Sequence, residues 1–255
     1  MSAATPEQGW LTAPDGALLA WSALGTGPVV ILVHGLYSNA HINWIRFGHA
    51  ARVAAAGFRV VMPDLRGHGR SARLGEGAPW PSEPLAHDLA ALVAALGLAP
   101  GGYDLGGYSL GARAVVRGVV AGLRPRRAVL AGMGLEGVLA GARRLDFFSR
   151  VIDGAGRHAP GTPEFHAQQF ARSTGAELAA ARPLLAGADL APQALGALAI
   201  PTLVVCGAED HDNGSAEALA AALPAGRYLA IEGNHTTAVT RPALGEAIAG
   251  FLAGP

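Results

Sequence analysis

The chain predicts an α/β fold, a doubly wound, mostly parallel β-sheet with an inserted helical cap. Three observations carry this expectation. Short continuous apolar runs rich in β-branched residues recur at Val29–Val33, Phe58–Met62 and Thr202–Cys206, the pattern of strands buried on both faces. Stretches with helical spacing stand between such runs, as a parallel sheet with crossover helices requires. From about Gly132 to Ala199 the alternation stops: no β-branched run appears there, only helical pieces separated by Gly- and Pro-containing turns.

In chain order, Leu11 to Gly25 reads as a hairpin around the turn Pro14-Asp15-Gly16. Pro28–Val33 is a buried strand. Ile42 to Ala56 is helical and stops at Gly57, a natural C-cap. Phe58–Met62 is the next strand, closed by Pro63-Asp64, and Leu85 to Leu96 forms an amphipathic helix ending at Gly97. A glycine-rich extended segment then leads into a helix from Leu110 to Val120, followed by a strand around Arg127 to Ala131. The helical pieces are Val138–Val151, Pro163–Arg172 and Glu177–Leu185. Strand–helix order resumes with Pro201–Cys206, Ser215–Leu223, Arg227–Ile231 and Pro242–Leu252. The expected division is a core of residues 1–131 and 200–255 with a helical cap insertion at 132–199.

At 255 residues the chain fits one domain with a sizeable core. The 19 basic and 19 acidic residues balance, so no field draws nucleic acid or anionic lipid. Every basic residue is Arg. Without Lys, Schiff-base, pyridoxal-phosphate and P-loop chemistries fall away. The single Cys, Cys206, permits no internal disulfide and reads as a buried strand thiol. Met1 to Trp10 has neither a basic region nor a hydrophobic stretch of signal length, and no run approaches membrane-spanning length. A cytoplasmic location without membrane or nucleic-acid partners is expected.

Chemistry concentrates at Gly107-Tyr108-Ser109-Leu110-Gly111. A G-x-S-x-G at a strand-to-helix junction places serine on a turn so tight that its neighbours must lack side chains. The turn aims a helix N-terminus and its backbone N–H groups at a developing oxyanion. A nucleophilic serine also needs a base and a group that orients the base, and these belong just after strand ends. Asp210 follows the strand ending at Cys206, and His235 follows the strand ending at Ile231. Glu209 and Asp212 adjoin the candidate acid, and Glu136, after an earlier strand, is a further alternative. His41, His49, His87, His158 and His166 have no matching strand end and read as surface or packing residues. His211 directly follows the candidate acid and is poorly placed to face the same serine.

His34-Gly35 after its strand, the loop Asp64-Leu65-Arg66-Gly67-His68-Gly69-Arg70-Ser71, the Gly-x-x-Asp turn at 207–210 and Gly233-Asn234-His235 all stand in one order. In this the chain resembles the α/β-hydrolase fold superfamily, specifically its lidded, carboxylesterase-like serine hydrolases, over essentially its whole length. The resemblance implies that Ser109 is the nucleophile, His235 the general base and acid, and Asp210 the residue orienting the imidazole. It implies an oxyanion hole from the backbone N–H groups of Leu36 and Leu110. His34 and His68 fall in loops where a structural hydrogen-bonding role is usual, and Asp64 and Arg66 would pin loops beneath the site.

A serine nucleophile implies an acyl substrate rather than the alkyl chemistry of carboxylate-nucleophile relatives. The expected function is cleavage of a small or medium acyl ester through an acyl-enzyme, without cofactor. Lactone or carbon–carbon bond hydrolysis is the alternative within the fold, weakened because Ser109-Leu110-Gly111-Ala112 departs from the S-M-G-G common in those branches. A non-catalytic small-molecule receptor on the same scaffold is the alternative outside enzymology. Phe147, Phe148, Phe165 and Phe170 are candidates for an apolar pocket wall, and Arg143, Arg144, Arg150 and Arg157 for binding a carboxylate tail. Gly132-Met133-Gly134-Leu135-Glu136-Gly137 is a literal G-x-G-x-x-G, with Asp153 downstream. A dinucleotide fold would then need a second strand at Arg150–Ile152, which is too short. No H-E-x-x-H or C-x-x-C pattern indicates a metal.

Overall fold

The computed structural model describes residues 5–75, 79–140 and 142–254, with side chains for all of these except 142 and 143. Its strands are β1 (Glu7–Thr12), β2 (Leu18–Leu24), β3 (Val29–Val33), β4 (Arg59–Pro63), β5 (Tyr103–Tyr108), β6 (Ala128–Ala131), β7 (Thr202–Gly207) and β8 (Gly226–Ile231). They form one sheet in the order β1-β2-β4-β3-β5-β6-β7-β8. β1 pairs antiparallel with β2, and β2 with β4; every later pairing is parallel. The strand order reverses beside β3, the place where an open α/β sheet forms its crevice.

The helices are α1 (His49–Ala55), α2 (Pro84–Ala95), α3 (Leu110–Val120), α4 (Leu135–Leu139), α5 (Ala142–Asp153), α6 (Pro163–Thr174), α7 (Ala181–Leu185), α8 (Ala216–Ala222) and α9 (Pro242–Ala253). Leu89 and Leu92 of α2, Val115 and Val119 of α3 and Leu219 of α8 pack on one face of the sheet. Val53 of α1 and Leu244, Ile248 and Leu252 of α9 pack on the other. Covered on both faces, the central strands have no exposed side to decorate with polar residues, which accounts for their unbroken apolar runs.

β5 is the least strand-like sequence in the sheet, Tyr-Asp-Leu-Gly-Gly-Tyr, yet all six residues are buried. Its glycines answer to packing: a Cβ on Gly106 would lie 2.7 Å from Leu32 Cδ2. The single helix expected over Ile42–Ala56 is two pieces, a wide π-type turn at His41–Ile45 and then α1. Gly48 at φ 77° turns the chain between them, a conformation only glycine adopts without strain. The helix expected over Val138–Val151 is also divided, because Ala140 is extended and α4 ends before it. Glu177–Leu185 resolves into a short 3₁₀ turn, Leu178–Ala180, followed by α7. Between β6 and β7 the regular structure is wholly helical among the described residues. Phe148, Val151 and Leu184 of this segment extend the apolar layer that begins under α2 and α3.

Candidate active site

Ser109 separates β5 from α3 with φ 54° and ψ −115°, a left-handed conformation that costs a non-glycine residue roughly 1–3 kcal/mol. The flanking glycines make it possible. A Cβ on Gly107 would stand 2.2 Å from the Gly111 carbonyl carbon, and one on Gly111 would stand 2.1 Å from the Val33 carbonyl oxygen. Ser109 N–H donates to Ala131 O at 2.8 Å, which ties the turn to β6.

His235 and Asp210 reach this serine from loops after β8 and β7. His235 Nε2 lies 3.0 Å from Ser109 Oγ, and His235 Nδ1 lies 2.8 Å from Asp210 Oδ2. The two loops are locked together: Glu209 N–H donates to Gly233 O at 3.1 Å, and Asn234 Oδ1 accepts the N–H groups of Thr236 and Thr237. Tyr108 Oη donates to His235 O at 2.6 Å, so the residue preceding the serine also fixes the histidine's backbone. Burial pushes the Asp210 carboxyl up, but the His235 hydrogen bond and charge, the Cys206 thiol and the Asp212 N–H together hold it below the usual range. Cys206 Sγ donates to Asp210 Oδ2 at 3.3 Å, and burial followed by the Asp210 charge pushes the thiol up to about 12. It therefore stays a protonated donor.

Glu136 faces elsewhere, accepting Ser215 N–H at 3.0 Å from an exposed position. Asp210, Asp212 and His235 place ligand-type atoms within 4.8 Å of one another. That grouping is the hydrogen-bonded acid–imidazole pair with a neighbouring carboxylate, since Asp210 Oδ2 and His235 Nδ1 are committed to each other.

The loop after β3 is held by two buried imidazoles. His34 Nδ1–H donates to Gly35 O at 2.7 Å while its Nε2 accepts Leu65 N–H at 2.9 Å. His68 repeats the arrangement, with Nδ1–H on Arg66 O and Nε2 accepting Tyr37 N–H at 2.9 Å. Burial lowers both, His34 to about 4 and His68 to about 3, so both are neutral. Asp64 accepts Ala40 N–H at 2.9 Å and Arg70 N–H at 3.1 Å. Arg66, fully buried, forms paired bonds with Asp88 and with Asp15. Tyr37 has φ 60°. Its ring hydroxyl donates to Leu178 O and its carbonyl accepts from Thr174 Oγ1, so the loop is bonded to the helical segment.

The Leu36 and Leu110 N–H groups donate to no acceptor among the described residues. Both residues line a cavity of about 290 Å³, including its mouth, together with Ser109, Phe148, Arg113 and Arg144. Among the phenylalanines expected at the pocket, Phe148 lines it and Phe170 is exposed. Phe147 packs edge-on against Phe148 and under Arg150, and Phe165 packs edge-on against His166. Arg150 pairs with Glu164, and Arg157 bonds Asp153 O. The Arg143 side chain lies outside the described residues. From sequence, Arg113, Cys206 and Tyr108 carry no site role, and the structure brings all three into the site. Each sits one or four residues from a motif position, and that spacing was the available signal.

The glycines of 132–137 turn the chain from β6 into α4: Gly132 has φ 58° and packs on the Tyr108 ring, and Gly134 abuts Gly214 O. Arg150–Ile152 lies within α5, so the strand a dinucleotide site would need there is not formed.

Residues 30–245 match the sequence profile of the alpha/beta hydrolase family. The chain belongs to this family. The chain is 33% identical over 102 residues to a bifunctional epoxide hydrolase 2 of Sus scrofa, covering 39% of this chain and 18% of that one. It is 36% identical over 91 residues to a non-heme haloperoxidase of Rhodococcus erythropolis, covering 35% and 31%. The chain thus matches less than a third of the length of these curated relatives. A thermophilic esterase from Thermogutta terrifontis, solved with malate bound, superposes with a TM-score of 0.73 at 26% identity, over 96% of this chain and 98% of the esterase. Among the described residues no helix is long and apolar enough to cross a membrane.

Proposed function

We propose that this hydrolase is a serine carboxylesterase that cleaves a small or medium acyl ester through an acyl-enzyme. The observation that carries this reading is the continuous relay Ser109 Oγ–His235 Nε2–His235 Nδ1–Asp210 Oδ2, at 3.0 Å and 2.8 Å, on a strained elbow. Ser109 Oγ attacks the ester carbonyl and passes its proton to His235 Nε2, while Asp210 stabilises the imidazolium. The carbonyl oxygen becomes an oxyanion facing the Leu36 and Leu110 N–H groups; a donor of this kind is worth about 3–4 kcal/mol in the transition state. Collapse breaks the C–O bond to the alcohol, which leaves with the proton from His235. Water then gives a proton to His235 and its hydroxide to the acyl carbon, releasing the acid and restoring Ser109.

The family also holds epoxide hydrolases, but an alkyl-enzyme requires a carboxylate where this chain has Ser109. Residues 132–199 act as a cap that gives the acyl group an apolar wall through Phe148, and a cytoplasmic, cofactor-free enzyme acting on a small molecule is the corresponding biology. The test is labelling with a fluorophosphonate probe, native and heat-denatured, followed by peptide mapping. Stoichiometric label on Ser109 in the native protein alone, absent from Ser109→Ala, is the expected result. Equal labelling of denatured protein, or label on another serine, overturns the assignment.

A further inference from the structure

Arg113 lies one turn into α3, its N–H bonded to Ser109 O at 3.1 Å, and it is 2% exposed. Its guanidinium makes one hydrogen bond, from Nη1 to Gly137 O at 3.2 Å. Nε and Nη2 are buried without a hydrogen-bond partner. No carboxylate of the described residues stands within 4.0 Å of it. The nearby acid Glu83 is committed to Arg117, one turn further along α3, at 2.7 Å. Arg117 therefore has a carboxylate in contact, whereas Arg113 feels Glu83 and Asp189 only at longer range, with neither in hydrogen-bond reach among the described residues.

The guanidinium lines the same cavity as Ser109, Leu36 and Leu110. Arg144 of α5 enters the cavity lining from the helical segment. It stacks over Phe148 at 5.4 Å, and its hydrogen bond to a neutral group, Asp212 O, is a long 3.5 Å. Burial, then Arg117, pushes the Arg113 pKa down to about 10, which leaves it charged at neutral pH. A buried cation with open donors and no anion in contact is among the costlier groups a fold can carry. It is also the natural partner of a planar carboxylate, which accepts two parallel N–H bonds. Met133, Leu185 and Phe148 with the two leucines supply apolar wall, and Asn213, bonded to Gly132 O, adds one polar side chain.

We infer that the substrate is an acyl compound carrying its own carboxylate, a half-ester of a short dicarboxylic acid, and that Arg113, assisted by Arg144, holds that carboxylate beside Ser109. This rests on the serine esterase reading for the turnover it assigns, but not for the binding site itself. The cavity is narrow, about 290 Å³ even with its open mouth included, which suits a short chain between carboxylate and ester.

Two measurements separate the site from the chemistry. The first compares kcat/KM for mono-4-nitrophenyl glutarate with that for its neutral methyl-capped diester. The half-ester should be favoured at least about tenfold, the worth of one charged hydrogen bond. Arg113→Met should lower the ratio of the two at least about tenfold, Arg113→Lys should restore part of it, and Arg144→Gln should lower it by a smaller factor. The second measurement is calorimetric binding of glutarate to Ser109→Ala, which needs no turnover. Binding there that weakens at least about tenfold when Arg113→Met is added, with dimethyl glutarate not binding, supports the site. If glutarate binds in this way while neither ester is hydrolysed, the carboxylate site stands and the esterase reading fails. If both esters are hydrolysed at similar kcat/KM and glutarate does not bind, the esterase reading stands and the carboxylate site is overturned. Arg144→Gln and Arg113→Lys keep the test open should Arg113→Met fold poorly.

Discussion

Arg66 under the loops and Arg113 in the cavity wall are both withdrawn from water, at 0% and 2% exposure. Arg66 meets Asp88 on one edge and Asp15 on the other, four hydrogen bonds between 2.6 and 3.0 Å. Arg113 meets one backbone carbonyl. In the loops above Arg66 the imidazoles and the carboxylate are also paired: His34 and His68 use both ring nitrogens, and Asp64 uses both oxygens, although the Trp80 Nε1 beside Arg66 has no partner among the described residues. Around Arg113 the open donors are its own Nε and Nη2 and the N–H groups of Leu36 and Leu110, which have no acceptor among the described residues. Where a fold closes its polar accounts it is building a support. Where it leaves donors open beside a strained serine, it is holding a place for something that arrives later.

That contrast can be broken or sharpened by substitution. The largest effect is expected at the relay itself: Asp210→Asn should lower kcat on a cleaved ester about 10⁴-fold, with Glu136→Gln close to the parent. If Glu136→Gln is the damaging change, the acid is misassigned. Arg66→Met should cost about 3–5 kcal/mol of stability in urea titration, because it strands the buried carboxylate of Asp88. Acid should act on the same support. Unfolded histidine takes up a proton near 6.5, whereas His34 does so near 4 and His68 near 3. The native state binds fewer protons between those values, so stability falls as pH drops through 6.5, by about 2 kcal/mol per imidazole at pH 5. Urea midpoints at pH 7 and pH 5 check this, and His34→Gln should remove about half of the difference, since His68 remains. The smallest effect has the opposite sign. Arg113→Met should leave stability unchanged or raise it by about 1 kcal/mol, since it removes a buried cation with open donors; a loss as large as that of Arg66→Met would show that Arg113 is structural.

Much of this arrangement can be read in the chain, for identifiable reasons. β3, β4 and β7 are buried on both faces, so their centres are unbroken apolar runs, Val29–Val33, Val60–Met62 and Leu203–Cys206, and the loops after the strands point to Asp210 and His235. Ser109 is legible because only glycine can occupy positions 107 and 111. β5 itself is faint, since its glycines answer to Leu32 and Gly111 rather than to strand propensity. The break at Ala140 is invisible because apolar residues continue at helical spacing on both sides of it. Arg113 is illegible for a different reason: on an amphipathic helix an arginine reads as a solvated face, and only the packing of Gly137 and the cavity walls around it shows otherwise. Cys206 is legible as buried, but its donation to Asp210 depends on how the chain turns after β7.

Tyr37 carries loads from three directions: its N–H bears on His68, its carbonyl on Thr174 and its hydroxyl on Leu178. It is also the residue next to Leu36. The roof over the cavity is thus hinged to the rim of the reaction centre by a single side chain and its own backbone. Residues 174–178 are anchored on that side as well through Glu177 N–H on Gly67 O and Leu74 N–H on Glu177 Oε2. In such a linkage, traffic through the roof and the readiness of the centre beneath it are one mechanical variable.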